Sequence, residues 1–224
     1  MKRPALNGTC SICGGVFSKM VMTRHLASCM REPGDTPVCG GNKSGTEKTF
    51  HMVIEGNGLP EYWLHVEASA SSSLATLDRF LRDLWLECCG HMSAFRIGAE
   101  EYMSSPEPGT GEHGMNVALN KVLCKGIKFR HEYDFGTTTE INLKVVAEQG
   151  AEKSKKPIRL LARNDPPIMN CVSCGKPAIR VCTECIYESS GLFCKECAKQ
   201  HECGEEMLLP VVNSPRVGMC AYSG

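Results

Sequence analysis

Nowhere in the 224 residues does an apolar run approach the roughly 20 residues that a helix needs to cross a bilayer. The opening stretch, MKRPALNGTCSICGG, is basic but leads into no apolar segment, so no secretory leader is expected. These two absences point to a soluble, cytoplasmic protein with no membrane partner. Net charge is also missing, since 25 Lys and Arg balance 25 Asp and Glu. The balance is uneven along the chain. Residues 51–150 hold eight basic and fourteen acidic residues, a net of minus six, whereas residues 1–50 hold seven and three and residues 151–169 five and two.

What the chain has in excess is cysteine, fifteen in all. In a secreted chain these would suggest disulfides. Without a leader, and grouped in C-x-x-C pairs, they suggest thiolates that hold metal in a reducing compartment. A chain of this length buries one medium core, with smaller appendages that lack one.

The first appendage is residues 1–31, where CSICGGVFSKMVMTRHLASC spaces Cys10, Cys13, His25 and Cys29 as in a C2HC zinc finger. A knuckle supplies two thiolates, and a helix supplies His and Cys one turn apart on one face. Lys2, Arg3, Lys19, Arg24 and Arg31 make this arm basic. Residues 1–46 are therefore the expected route to nucleic acid, if there is one. A lone finger reads only about three base pairs, so a metal-stapled knob for protein contacts is an equal expectation. The Gly/Pro/Ser/Thr-rich residues 32–46 read as a linker, and Cys39 within them has no partner at ligand spacing.

Residues 47–150 carry ordinary globular patterning. Phe50, Met52 and Ile54 alternate, as do Leu64, Val66 and Ala68, which predicts two strands paired through GNGLP. Leu74, Leu77, Phe80, Leu81, Leu84, Trp85 and Cys88 form one helical stripe, with Ser71 to Ser73 as N-cap candidates and Gly90 as a stop. Cys88 and Cys89, at the end of that helix, are expected to be buried thiols. SAFRIGA, MNVALNKVL, IKFRHEYDF and EINLKVVAE read as further strands, and residues 100–114 as a loop in which His113 has no visible partner. Together these predict an α+β fold, a mixed or antiparallel sheet with one main helix in β-grasp-like order, flanked by two small zinc-stapled modules. His131, Glu132 and Asp134 suggest a small acid/base or metal cluster, but alternation puts Glu132 and Asp134 on one strand face and His131 on the other, so a solvated face is the expectation, and Cys124 has no partner at ligand spacing. Residues 151–169 read as a basic connector in which IRLLA is able to dock on the sheet.

The tail, 170–224, has few large hydrophobes but eight soft ligands within residues 171–203. These are Cys171, Cys174, Cys182, Cys185, Cys194, Cys197, His201 and Cys203. One tetrahedral zinc takes four, so eight imply two ions. The interleaved arrangement leaves the chain most room to turn, with Cys171, Cys174, Cys194 and Cys197 on one zinc and Cys182, Cys185, His201 and Cys203 on the other. This pattern resembles B-box and MYND-type cross-braced modules. The final His-x-Cys is tighter than theirs, and Cys220 is the substitute if Cys203 cannot reach. Full four-ligand sets leave no open metal position, so three structural zincs are expected in the whole chain and no catalytic one. Thiolate-rich zinc sites carry net negative charge, which turns the tail away from phosphate backbones and toward a protein partner.

The tripeptide Asp134-Phe135-Gly136 invites a kinase reading, but no Gly-rich loop, V-A-I-K lysine or H-R-D accompanies it. In context, YWLHVEASASSSLATLDRFLRDLW, HMSAFRIGAEEY and FRHEYDFGTTTE resemble the plasmid pRiA4b ORF-3-like family over about 100 residues. The turn lacks the acidic residue, tryptophan and histidine with which members continue Asp-Phe-Gly, because TTTE follows Gly136. The resemblance implies an α+β sheet domain, a prokaryotic or mobile-element origin and no defined biochemistry. The resulting expectation is a non-enzymatic adaptor or regulatory protein, with nucleic-acid binding and an enzyme of the central domain as alternatives.

Overall fold

Alternating residues become the hairpin at the centre of the molecule, β3 (Thr46–Gly56) and β4 (Leu59–Ser69), paired antiparallel from Thr49↔Ser69 to Glu55↔Trp63. The computed structural model describes residues 6–30, 46–152 and 154–224. Of the linker expected at 32–46 only Thr46 falls among them, and Lys2, Arg3, Arg31 and Cys39 lie outside the described residues.

Around this hairpin runs a ten-stranded sheet in the order β2-β1-β10-β4-β3-β9-β8-β5-β6-β7. Its other members are β1 (Asn7–Cys10), β2 (Val16–Ser18), β5 (Ser93–Ile97), β6 (Glu100–Met103), β7 (His113–Gly114), β8 (Lys128–Tyr133), β9 (Thr139–Glu152) and β10 (Ile158–Asn164). All pairings are antiparallel except β6 with β7. The α+β class holds, with one large mixed sheet and few helices.

One face of the sheet is covered by α2 (Leu74–Leu81), capped by Ser73, whose Oγ accepts from the Thr76 N–H at 3.2 Å. Leu74, Leu77, Leu81 and Trp85 are fully buried against Phe50, Met52, Ile54, Leu64 and Val66. The α-helix is shorter than its apolar stripe. After Leu81 the chain widens into a π-helical turn, Arg82–Leu86, and Glu87 is extended. This releases Cys88 and Cys89 from any helix face.

The opposite face is covered by the finger. Its helix α1 (Lys19–Cys29) buries Met22 and Leu26 against Trp63, Leu161 and Ala162. β4 is consequently buried on both sides from Tyr62 onward. Gly8 permits this docking, because a Cβ there would lie 2.5 Å from the Trp63 ring.

Three further segments fold differently from the sequence reading. The segment expected as a connector at 151–169 contains β10, so IRLLA does dock on the sheet, and does so as a full strand between β1 and β4. Through that pairing the finger is continuous with the central sheet. The expected strand MNVALNKVL instead holds a short helix, α3 (Leu119–Val122), whose Leu119 plugs the core. Part of the expected loop 100–114 pairs as β6 and β7, and His113 Nε2 lies 3.0 Å from Glu100 Oε2.

The tail forms a small three-stranded sheet, β12 (Leu192–Phe193), β11 (Arg180–Cys182) and β13 (Leu208–Pro210), with a helical turn α4 (Lys195–Ala198). Its buried cluster consists of Cys171, Cys182, Phe193 and Cys194, so cysteine replaces the missing hydrophobes.

Candidate metal centres

Zinc–sulfur bonds of about 2.3 Å at the tetrahedral angle set sulfurs about 3.8 Å apart, and put a sulfur about 3.5 Å from an imidazole nitrogen. Donor sets can be tested against those edges. Among the described residues, four groups of Cys and His place all their ligand atoms within 4.8 Å of one another.

In the first, the β1–β2 turn brings Cys10 and Cys13 to His25 and Cys29 of α1. Cys10 Sγ lies 4.0 Å from Cys29 Sγ, and Cys13 Sγ 3.3 Å from His25 Nε2. Gly14 turns the knuckle at φ 73°, and the Gly15 N–H donates to Cys13 Sγ at 3.4 Å. Phe17 stacks on the His25 ring with centroids 4.3 Å apart, fixing the imidazole from behind.

The tail contains the interleaved pair. Cys171 and Cys174, from a knuckle before β11, meet Cys194 and Cys197 at the start of α4. Cys174 Sγ is 3.6 Å from Cys194 Sγ. Cys182 ends β11 and Cys185 opens a 3-10 turn, and these meet His201 and Cys203. Cys185 Sγ lies 3.5 Å from His201 Nε2 and 3.6 Å from Cys203 Sγ. Of the two candidates for the eighth ligand, Cys203 is the one in this group. Phe193 packs on the His201 ring with centroids 4.3 Å apart, repeating the Phe17–His25 device.

These donor spacings fit the edges of a zinc tetrahedron, so the residues present suit the ion. The electrostatics agree. Backbone N–H donors, that of Cys194 foremost, hold the Cys171 thiol down to about 6. The contact with Cys203 pushes the Cys185 thiol up to about 12, and that with Cys174 pushes Cys197 up to about 12. Sulfurs this close cannot all ionise beside one another unless a cation sits among them.

A fourth group, Cys88, Cys89, His91 and Cys220, escaped the sequence reading. Cys88 and Cys89 were expected to be buried thiols, yet Cys89 is exposed and Cys88 only half-buried. The available signal was C-C-G-H beside a lone tail cysteine, but 129 residues separate His91 from Cys220 and no spacing template covers that gap.

Two buried networks adjoin this group. Asp134, at φ 63°, accepts from the Gly136 and Thr137 N–H groups at 3.1 and 3.2 Å, and the Arg216 guanidinium lies 2.6 Å from its Oδ2. Arg216 is fully buried and packs over the Tyr133 ring at 4.8 Å. The Asp-Phe-Gly turn is thus a receptor for the tail's arginine. His131 Nε2 and Ser93 Oγ both lie 2.7 Å from Asp78 Oδ1, and Arg82 Nε lies 2.8 Å from Asp78 Oδ2. The solvated face expected for His131 and Asp134 is therefore a buried one, with both side chains locked to partners. Ser93 bonds to the carboxylate and not to the imidazole, so the trio holds α2 to the sheet and activates no nucleophile.

Among the described residues no helix is long and apolar enough to cross a membrane. No protein-family model and no curated protein matches the sequence. Among solved structures the chain is similar to the protein of unknown function MM3350 from Methanosarcina mazei Go1, at 13% identity and a TM-score of 0.45 over 52% of this chain and 69% of that one.

Proposed function

We propose that this chain is a zinc-stapled adaptor that works by binding another protein and carries out no chemistry of its own. The observation that carries the reading is the closure of the donor sets. Each of the three groups predicted from sequence already offers four soft ligands, so a zinc held there has no position for substrate or water. The expected content is one zinc in the finger and two in the tail. In this reading the ions fix shape, and the shaped tail presents apolar side chains to solvent: Val172, Ile179 and Tyr187 are 48%, 50% and 63% exposed. Large exposed apolar groups on a metal-built module suit a protein partner better than a phosphate backbone. The central sheet and the Asp134 turn are in keeping with a pRiA4b ORF-3-like domain, and with it a prokaryotic or mobile-element origin and a cytoplasmic setting.

The test uses the zinc-loaded chain beside Ile179→Asp and Tyr187→Ala variants whose zinc content is unchanged. The wild type is expected to retain a defined protein from host extract that the variants lose. Equal recovery by all three overturns the reading.

One feature favours a second reading, nucleic-acid binding. A groove of about 870 Å³ between α1 and the sheet is lined by Lys19, Arg96, Lys128, Arg130 and Lys144. Two of these cations are spoken for, as Lys19 pairs with Glu55 and Arg96 with Glu101 and Glu132. Removing residues 1–46 is not a clean test, because β1 pairs with β10. Charge reversal of Lys128, Arg130 and Lys144 is. Retention of DNA or RNA at low salt that this triple change abolishes would favour the second reading over the first.

A further inference from the structure

The last seventeen residues touch both halves of the molecule. Leu208–Pro210 pairs with β11 of the cysteine-rich sheet. A few residues on, Ser214 Oγ donates to the Trp85 carbonyl at 2.6 Å, and Arg216 reaches Asp134 as described. Beyond Arg216 the chain turns back through Gly218 at φ 79° and sets Cys220, itself in the left-handed region at φ 51°, against Cys88, Cys89 and His91.

We propose that Cys88, Cys89, His91 and Cys220 form a fourth metal site, taking a zinc ion, and that this ion clasps the tail to the central domain. Three of the donor distances lie within about 0.3 Å of the edges of a zinc tetrahedron, and the fourth, His91 to Cys89, is shorter. Cys89 Sγ lies 3.6 Å from Cys88 Sγ and 3.5 Å from Cys220 Sγ, and His91 Nε2 lies 2.9 Å from Cys89 Sγ and 3.6 Å from Cys220 Sγ. Three thiolates and an imidazole are a donor set that zinc prefers.

The loop is also built to present them. Gly90, at φ 78°, reverses the chain so that residues 88, 89 and 91 converge. The Tyr133 hydroxyl accepts from the Cys88 and His91 N–H groups at 3.4 and 3.3 Å and donates to Glu87 Oε1 at 3.0 Å, which in turn accepts from the Gly90 N–H at 2.6 Å. Three thiolates around a divalent ion leave one negative charge, and the Arg216 guanidinium donates to Cys88 Sγ at 3.4 Å, where it offsets that charge. Asp134 Oδ2 lies 3.5 Å from His91 Nε2 but is engaged by Arg216 at 2.6 Å, so it is not counted among the ligands. Cys89 and Cys220 are exposed, which gives the ion a path in.

This site is independent of the adaptor reading, and its failure would leave the other three groups untouched. The full chain, purified with zinc under reductant, is weighed intact under native conditions and assayed for zinc by elemental analysis. Four zincs per chain are expected, falling to three in Cys220→Ser and in Cys89→Ser, with the other groups retained. Hydrogen exchange across residues 217–222 should accelerate at least tenfold in Cys220→Ser. A wild type that holds three zincs, or that is two daltons lighter with Cys89 bonded to Cys88 or Cys220, overturns the site. Unchanged exchange in Cys220→Ser overturns the clasp.

Discussion

His51 Nε2 and His65 Nδ1 lie 2.9 Å apart in the buried seam between the central hairpin and the finger, with the edge of Trp63 against His65. Burial holds His51 down to about 4 and His65 down to about 3. Both therefore stay neutral in the folded protein where the unfolded chain, titrating near 6.5, already binds protons. Below pH 6.5 the unfolded state carries the extra protons, so stability is fully present above 6.5 and is lost as pH falls toward about 4. Each proton not taken up contributes a slope of about 1.4 kcal/mol per pH unit. Thiolate protonation adds to acid destabilisation, so the difference between wild type and His51→Gln is the useful quantity. Urea unfolding between pH 7 and 5.5 in saturating zinc, where the unfolded imidazole is only partly protonated, should show a shallower pH slope in the variant by somewhat less than that, about 1 kcal/mol per pH unit. Equal slopes would remove the pair from the acid response.

Leu26 of α1 is fully buried against Trp63 and Leu161, so the finger is held by sheet packing as well as by ligands. Leu26→Ala should cost ~2–5 kcal/mol, the usual range for a truncated core leucine. Because Cys10, Cys13, His25 and Cys29 are untouched, the zinc count should not change. Loss of zinc together with stability would instead mean that this ion depends on docking. Denaturant midpoints and elemental analysis on the same sample separate the two.

The parts of this molecule that could be read from sequence are those in which a short chain segment carries its own instructions. Cys10 to Cys29 and Cys171 to Cys203 announce themselves because a knuckle and the turn that answers it lie within tens of residues. The β3–β4 hairpin and the Ser73-capped helix follow from period and cap. What stayed hidden is what the tertiary structure assembles. IRLLA could be seen as a stretch able to dock on the sheet, but its flanks are basic and Pro-bounded, and only the neighbours β1 and β4 make it an interior strand. Asp134 and His131 looked solvated because alternation gives faces without saying what covers them. Arg216 and Asp78 cover them from 82 and 53 residues away. Cys220 was weighed for the wrong group for the same reason.

Arg216 and Asp134 make a fully buried ion pair, and the guanidinium also donates to the Thr137 carbonyl at 3.1 Å and to Thr139 Oγ1 at 3.0 Å. Removing one partner strands a buried charge. Arg216→Met is therefore expected to cost ~3–5 kcal/mol, and the double change with Asp134→Asn to recover much of it. If the single and double variants unfold at the same denaturant concentration, the pair is not what holds the tail. Intact zinc in the cysteine-rich module would show that any loss is local to the docking.

The interleaving in the tail makes a prediction that neighbouring knuckles would not. Cys171 and Cys194 are 23 positions apart yet belong to one donor group, whereas Cys171 and Cys182, closer in sequence, belong to different groups. Replacing Cys171 and Cys194 together by serine should remove one zinc, and replacing Cys171 and Cys182 together should remove two. The module's buried cluster is largely cysteine, so metal held there would supply its core. The second double variant should therefore leave residues 170–207 open to protease while the central sheet, with its separate apolar core, resists. Native mass measurement with limited proteolysis reads both effects. Were the ions held by adjacent knuckles, Cys171 and Cys182 would share one zinc, and the numbers of ions lost would exchange between the two variants.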